Sequence, residues 1–165
     1  MKNPLDEVIE PRATQEEMTN FIETELTESL KGLPTRTTQF GRFDKGLAYT
    51  ILMKYYMHEK NWAKAEECGR ELLKAEYGYG LMDRYADIFT LENEGNKEII
   101  FACTEERGTN LQLWHDHALP GNYPTQNTAI QKWDGYKVPW PFYRTFEEGD
   151  DRLSVLVGEY VGTDG

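Results

Sequence analysis

The sequence lacks any long apolar segment. Its 165 residues contain no run approaching the roughly 20 consecutive apolar residues that a membrane-spanning helix needs. Residues 1–11 also lack the cationic start and apolar stretch of a secretory signal peptide. A glycine-rich phosphate loop, a nucleophile elbow and a catalytic cysteine–histidine signature are all absent. We therefore expect neither a membrane span in this chain nor the enzyme classes that these motifs define.

Basic residues are few relative to acidic ones. The chain has 18 lysines and arginines against 29 aspartates and glutamates, for a net charge of -11. Nucleic-acid binding depends on clustered lysine and arginine that release counterions from phosphates, and the sequence has no such cluster. We predict no nucleic-acid partner. The same negative charge disfavours sulfated or uronic-acid glycans, so neutral ligands fit more easily.

Cysteine is also scarce. The two cysteines, Cys68 and Cys103, form neither a metal-binding motif nor a disulfide framework. Cys68 belongs to the small-residue face of a predicted helix, and Cys103 ends a short apolar run. We expect both thiols to be buried as small hydrophobic side chains, and whether they pair with each other stays open.

Two polar patterns suggest chemistry, and neither is sufficient for it. His115 and His117 would share one face of a strand, but zinc needs three or four ligands. Glycoside hydrolysis needs two carboxylates across the scissile bond, whereas the adjacent Asp150 and Asp151 point apart. We expect Asp150 to pair with Arg152 and fix a loop. No enzymatic activity, metal or cofactor is predicted.

Residues 42–77 predict two helices that fold back on each other. Apolar side chains recur at helical spacing in the first segment: Leu47, Ile51, Leu52 and Tyr55. The second segment repeats the pattern: Trp62, Ala65, Gly69, Leu72 and Leu73. Asn61 is a good N-cap for the second helix. Two such faces bury each other as a helical hairpin, and Tyr56, Ala65 and Leu72 follow part of the tetratricopeptide pattern.

The flanking sequence predicts one more helix and a less regular second half. A capping-box pattern at residues 14–17 begins a helix that Gly32 and Pro34 end. Arg42 is expected to tether neighbouring helices. Beyond residue 78 we predict a helical turn at 84–89, a strand or extended segment at 98–103, one short helix at 142–148 and a short strand at 153–161.

The order of several segments carries a family resemblance. The chain contains NWAKAEECGRELL at 61–73, then YGLMDRYADIF at 79–89, NKEIIF at 96–101 and FEEGDDRL at 146–153. This order resembles the SusD/RagB family of outer-membrane nutrient-binding lipoproteins. The last segment is similar to that family's F-x-x-G-D-x-R pattern. The resemblance extends over nearly the whole chain.

The resemblance implies a mainly α-helical fold, as a single partial SusD-like domain. Residues 14–77 would form tetratricopeptide-like hairpins, and residues 78–165 an irregular, aromatic-rich part with short strands. The implied role is non-catalytic capture of neutral oligosaccharide or polysaccharide at the bacterial outer-membrane surface, with delivery to a SusC-like TonB-dependent transporter. Family members are several-fold longer and begin with a lipoprotein signal sequence. We therefore expect this chain to be part of a longer surface-exposed lipoprotein.

The second half supplies the candidate binding residues. Sugar recognition needs an aromatic face against the C–H side of a pyranose and planar polar groups for its hydroxyls. Between residues 108 and 143 aromatic side chains are dense and show no helical period. The candidate contacts are Trp114, Trp133, Tyr123, Tyr136 and Asn127. Trp140 and Phe142 are flanked by prolines and are expected to be core wedges instead.

One alternative function belongs to another class. A tetratricopeptide-like module that binds a protein or peptide would also contain the helical hairpin. Such a module should present polar and apolar anchors on the concave faces of several repeats. Only one hairpin is clear in this sequence, and the dense aromatic residues lie outside it. The sequence therefore favours glycan binding over this alternative.

Overall fold

The computed structural model describes residues 11–105, 113–126 and 129–165. These residues are mainly α-helical, which confirms the predicted fold class. They fall into two units, which divide between Tyr79 and Gly80. Every helix in the described ranges is too short or too polar to span a lipid bilayer.

The first unit contains three helices with side-chain caps. They are α1 (Gln15–Gly32), α2 (Lys45–His58) and α3 (Trp62–Leu72). Thr14 caps α1 and forms the predicted capping box with Glu17. Asp44 and Asn61 cap α2 and α3 by accepting hydrogen bonds from backbone N–H groups of the first turn. Because these side chains satisfy otherwise unpaired donors, α1 and α3 begin where the sequence predicts, and Asp44 fixes the start of α2.

The predicted helical hairpin is present, since α2 packs along α3 and α1 packs against α2. The buried core between the helices consists of Leu52, Tyr56, Ala65 and Cys68. Cys68 is a free, buried thiol as expected, and burial raises its pKa. Cys103 is also free but exposed, so its predicted burial is wrong.

The predicted apolar faces are wrong in part. Ile51, Trp62 and Leu73 are exposed, although helical spacing placed them on the buried side. The buried positions of α2 include Ala48 and Tyr56 instead. For Ile51 the reason is that α2 is apolar on nearly every side, so its spacing does not define one face. Trp62 and Leu73 lie at the two ends of α3, as its first residue and its C-cap.

Tyr77 is the most deeply buried large side chain of the described chain, at 1% exposure. It ends a 3-10 helix, Ala75–Tyr77, that follows α3. Its ring meets Tyr49 in a T-shaped contact with centroids 6.4 Å apart and stacks on Tyr79 at 6.0 Å. Its hydroxyl donates to the carboxylate of Glu71. Tyr77 therefore closes the core at the C-terminal end of the hairpin.

Arg36 fixes the segment that follows Tyr77. Its Nη1 donates to the Tyr77 carbonyl at 2.9 Å and to the Gly78 carbonyl at 3.3 Å. The guanidinium also lies 4.9 Å from the centroid of the Tyr79 ring. The tethering role predicted for Arg42 is thus filled by Arg36, six positions earlier in the same linker.

The buried tyrosines predict a loss of stability at alkaline pH. Burial raises the pKa of Tyr49, Tyr56, Tyr77 and Tyr79. Above about pH 10 the unfolded chain ionises its tyrosines while the folded chain keeps these protonated. We therefore expect the free energy of unfolding, measured in urea, to begin to fall where the Cys68 thiol ionises in the unfolded chain, and to fall more steeply above about pH 10. Tyr77→Phe should make the fall above about pH 10 shallower, and an unchanged slope would contradict this expectation.

The second unit is built mostly from short elements. It contains α4 (Trp114–Ala118), α5 (Trp140–Tyr143) and the 3-10 helices Tyr85–Phe89, Leu91–Asn93 and Asp151–Val155. The first 3-10 helix confirms the predicted turn at 84–89, and it packs against the last one. The short helix predicted at 142–148 instead begins at Trp140 and ends at Tyr143.

No strand forms at either position where one is predicted. Residues 99–105 are irregular, and residues 153–155 belong to a 3-10 helix instead. No strand occurs anywhere in the described ranges. Near the first segment the Glu98 carboxylate, rather than a neighbouring strand, accepts the backbone N–H of Met82 at 2.6 Å. An apolar run needs strand pairing to become a strand, and no strand pairing forms among the residues that the structure describes.

Candidate functional site

Three of the predicted aromatic residues come together around one histidine. The Trp114 and Tyr136 rings meet edge to face with centroids 5.0 Å apart. His117 lies 4.7 Å from Trp133 and 5.3 Å from Tyr136. We call these four residues the aromatic cluster. Edge-to-face contacts of this kind hold the rings at fixed angles to one another.

The cluster forms because α4 is hydrogen-bonded to the segment at residues 129–139. The backbone N–H of Trp133 donates to the Asp116 carbonyl at 2.6 Å. The N–H groups of Gly135 and Tyr136 both donate to the His117 carbonyl, at 2.7 and 3.0 Å. These bonds pair the end of a one-turn helix with an irregular segment. They place two predicted aromatic residues directly beside His117.

A tight turn lets the segment approach α4 so closely. Asp134 has a φ of +56°, in the left-handed region that aspartate tolerates better than most residues. A Cβ atom at Gly135 would lie 3.2 Å from the His117 carbonyl oxygen, so a larger residue would crowd the backbone there. Lys137 pairs with the Asp134 carboxylate at 2.9 Å. The sequence Asp134-Gly135 therefore fits the close crossing.

The cluster leaves much of its ring surface in solvent. Trp114 is 63% exposed, Trp133 is 46% exposed and Tyr136 is 53% exposed. The Trp133 indole N–H donates to Gln131 Oε1 at 3.2 Å, which holds the indole in one orientation. Exposed aromatic faces with fixed orientation and polar neighbours can stack on an apolar ligand face at little entropic cost.

Tyr123, another predicted contact, makes its ring contacts outside the aromatic cluster. Tyr123 is half-buried, and its ring contacts Tyr160 with centroids 4.9 Å apart. The Tyr160 hydroxyl donates to Asn122 Oδ1 at 2.6 Å. Lys132, the residue before Trp133, donates from Nζ to the Tyr123 carbonyl at 2.6 Å. This bond links the Tyr123–Tyr160 pair to the segment that carries Trp133. Asn127 lies outside the described residues.

Trp140 and Phe142 are not core wedges, so that prediction is wrong. Trp140 is 69% exposed and Phe142 is 55% exposed. Trp140 contacts only the edge of Tyr143, and Phe142 that of Phe146, among the ring contacts of this segment. Pro139 precedes α5 and Pro141 lies in its first turn, where a proline's fixed φ favours the start of a helix.

The predicted ion pair at residues 150 and 152 is confirmed. The Arg152 guanidinium holds both carboxylate oxygens of Asp150, with the shortest contact at 2.5 Å. These bonds lower the pKa of the Asp150 carboxyl. Arg152 also lies 5.0 Å from the centroid of the Phe146 ring. A shallow open groove of about 350 Å³ runs beside the pair and is lined by Glu147 and Glu148.

The acidic and histidine side chains do not gather into a metal-binding group within the described ranges. His117 packs among rings, as given above, rather than beside carboxylates. The role of His117 in the cluster was not predicted, because the sequence singled it out only as part of a histidine pair that is insufficient for a metal site.

Comparisons with known proteins support the fold. No protein-family model and no curated protein match the chain. The chain is similar to the crystal structure of a SusD-like protein from Bacteroides fragilis NCTC 9343, with a TM-score of 0.57 and 24% sequence identity. The similarity covers 68% of this chain and 23% of that one. The chain therefore has a SusD-like fold over the matched part and spans less than a quarter of the SusD-like protein.

Proposed function

We propose that this chain contributes a glycan-binding surface to a protein that captures neutral oligosaccharide or polysaccharide nutrients without transforming them. The observation that carries the proposal is the aromatic cluster on a SusD-like fold. Its two tryptophans and one tyrosine present ring surface to solvent at fixed angles. Pyranose rings offer the apolar C–H faces that such rings accept.

The charges around the cluster favour a neutral ligand. Asp134 and Lys137 neutralise each other, and the Lys132 ammonium is directed to a backbone carbonyl. Both lysines of residues 129–139 are thus engaged by groups of the chain itself, so neither is directed toward an acidic sugar. The net charge of -11 acts in the same direction over a longer range.

Tyr123 and Asn127 remain candidate contacts in this proposal. Lys132, which precedes Trp133 in the chain, is hydrogen-bonded to the Tyr123 carbonyl. A ligand longer than one sugar therefore has a second aromatic group near the cluster. Asn122 lies beside that group and supports it, since its amide oxygen accepts the Tyr160 hydroxyl and its amide nitrogen donates to Asp164.

The partner and the location follow from the family resemblance. We propose that the complete protein is a surface-exposed lipoprotein of the outer membrane that delivers its ligand to a SusC-like TonB-dependent transporter. The helical hairpins of the first unit would contact the protein partner. Sequencing the DNA around this reading frame tests the proposal. A lipoprotein signal upstream and a transporter gene nearby are expected, and unrelated neighbours with neither feature would contradict it.

Removing either exposed tryptophan of the cluster should weaken glycan binding. We expect Trp133→Ala and Trp114→Ala each to reduce affinity about tenfold, or about 1.4 kcal/mol, because each loses one stacking face. The measurement is affinity electrophoresis in gels that contain soluble α-glucan, β-glucan or mannan. Retardation of the unmodified chain by one of these is compared with that of each variant.

Trp62→Ala is the matched control for this experiment. Trp62 is as exposed as Trp114 but lies on α3, in the first unit. Its loss should leave retardation unchanged, whereas the cluster variants should migrate faster through the glycan gel. If both cluster variants keep the mobility of the unmodified chain, the site is elsewhere. Binding of peptides in place of glycans would favour the alternative function, a tetratricopeptide-like module that binds a protein or peptide.

A further inference from the structure

Two charged residues of the described chain are buried, and only one of them has an evident structural role. Asp44 is 3% exposed, and it caps α2 with one oxygen and accepts the Thr37 N–H with the other. Asp116 is 8% exposed, but it lies inside the one-turn helix α4 and caps nothing there. Burying a carboxylate is costly unless its hydrogen bonds compensate. The contacts of Asp116 therefore need an explanation.

Asp116 holds the segment that carries Trp133. Its Oδ1 accepts the backbone N–H of Gln131. Its own carbonyl accepts the backbone N–H of Trp133 at 2.6 Å. One buried residue thus binds two alternate positions of an otherwise irregular segment. Hydrogen bonds to a charged acceptor are stronger than those between neutral groups, so this attachment is firm.

Gln131 extends the attachment to the indole itself. Its Oε1 accepts the Trp133 indole N–H at 3.2 Å, while its backbone is held by Asp116. The other side of the indole meets the His117 ring. The Trp133 ring is therefore fixed by a hydrogen bond at its polar edge and by a ring contact, and the hydrogen-bonding residue is itself attached to a buried carboxylate.

We infer that Asp116 and Gln131 are positioning residues that set the orientation of the Trp133 ring for the sugar ligand. The inference rests on the proposed function for its ligand, but the orientation itself is a property of the free chain. A ring held in its binding orientation loses less conformational freedom when ligand arrives. Loosening either residue lowers affinity although neither provides the stacking face.

The first test compares two substitutions of the buried carboxylate. Asp116→Asn keeps an oxygen that accepts the Gln131 N–H, so it should bind within about twofold of the unmodified chain. Asp116→Ala removes the acceptor and should weaken binding about tenfold. The probe is whichever of soluble α-glucan, β-glucan and mannan retards the unmodified chain most. Asp134→Asn is the control, because it removes an exposed carboxylate from the same segment without touching Gln131.

Gln131 gives a second arm that does not depend on a buried position. Gln131 is exposed, so Gln131→Ala and Gln131→Glu should both fold. Gln131→Glu keeps the acceptor for the indole N–H and should retain binding, whereas Gln131→Ala should not. If Asp116→Ala fails to fold, this pair decides the question. Equal binding by Gln131→Ala and the unmodified chain would overturn the inference.

A spectroscopic measurement separates this inference from the proposed function. Asp116→Ala and Gln131→Ala should change the near-ultraviolet circular dichroism of the tryptophans, and the change should vanish in a Trp133→Phe background. Such a change with no glycan retardation in any gel supports the positioning and contradicts glycan binding. If Trp133→Ala weakens retardation while Gln131→Ala alters neither signal, glycan binding stands and the positioning is wrong.

Discussion

Tyr77→Ala is expected to lower the free energy of unfolding by about 3–5 kcal/mol, the largest effect of any substitution argued for this chain. Tyr77 is 1% exposed, and its ring lies between Tyr49 and Tyr79. Truncation leaves a cavity that two neighbouring rings border. These rings cannot easily collapse into it, because Arg36 holds Tyr79 and α2 holds Tyr49.

Two controls separate the cavity from other causes. Tyr77→Phe removes only the hydroxyl and its bond to Glu71, so it should cost about 1 kcal/mol. Phe40→Ala removes an exposed ring from the same unit and should change stability by less than about 0.5 kcal/mol. Urea unfolding followed by far-ultraviolet circular dichroism measures all three. A loss for Tyr77→Ala no greater than that for Phe40→Ala would mean that the ring is not part of the core.

The helices of the first unit were predictable because their signals are local. A cap, its first turn and the residue that ends a helix are neighbours in the chain. Thr14 and Asn61 each act within three residues, and the structure confirms both caps. The buried faces were harder, because α2 is apolar nearly all round and the partner helix decides which side is covered. Ile51 was therefore assigned to the wrong side.

The second unit was less predictable because long-range contacts form it. The apolar run at 98–103 has strand-like composition, but composition does not supply a pairing strand. Trp140 and Phe142 were predicted as core residues because they are apolar and flanked by prolines. No other described element of their unit covers them, so they are exposed. Local sequence does not reveal whether a surface is covered.

The residues of the aromatic cluster could be predicted from local sequence, but their contacts with one another could not. Residue type and polar surroundings singled out Trp114, Trp133 and Tyr136 one by one. Their contact depends on backbone bonds between α4 and a segment about 15 residues later, which no local pattern encodes. Asp116 was therefore missed, since its partners are distant in sequence. The turn at Asp134-Gly135 was the one available signal, because this dipeptide favours tight turns.

Gly46→Ala should destabilise the first unit by about 2 kcal/mol, against the usual preference for alanine in helices. Gly46 is the second residue of α2 and is buried. A Cβ atom there would overlap the Tyr79 hydroxyl and lie 2.9 and 3.0 Å from two ring carbons. Overpacking of this kind costs about 1–3 kcal/mol, while the helix preference returns at most about 1. The clash wins because the Tyr79 ring is stacked on Tyr77 and cannot swing aside freely.

Removing the Tyr79 hydroxyl by Tyr79→Phe tests whether it causes the clash in Gly46→Ala. It is buried and makes no hydrogen bond to any described residue. Tyr79→Phe alone should therefore be neutral or slightly stabilising, since no hydrogen bond is lost. In the Gly46→Ala background, Tyr79→Phe removes the closest overlap and should recover part of the lost stability. A double-mutant cycle then reports a coupling above about 0.5 kcal/mol.

Gly32→Ala, at a helical glycine with open space around it, should not destabilise. A Gly46→Ala chain as stable as Gly32→Ala would show that the Tyr79 ring does not pack against this helix.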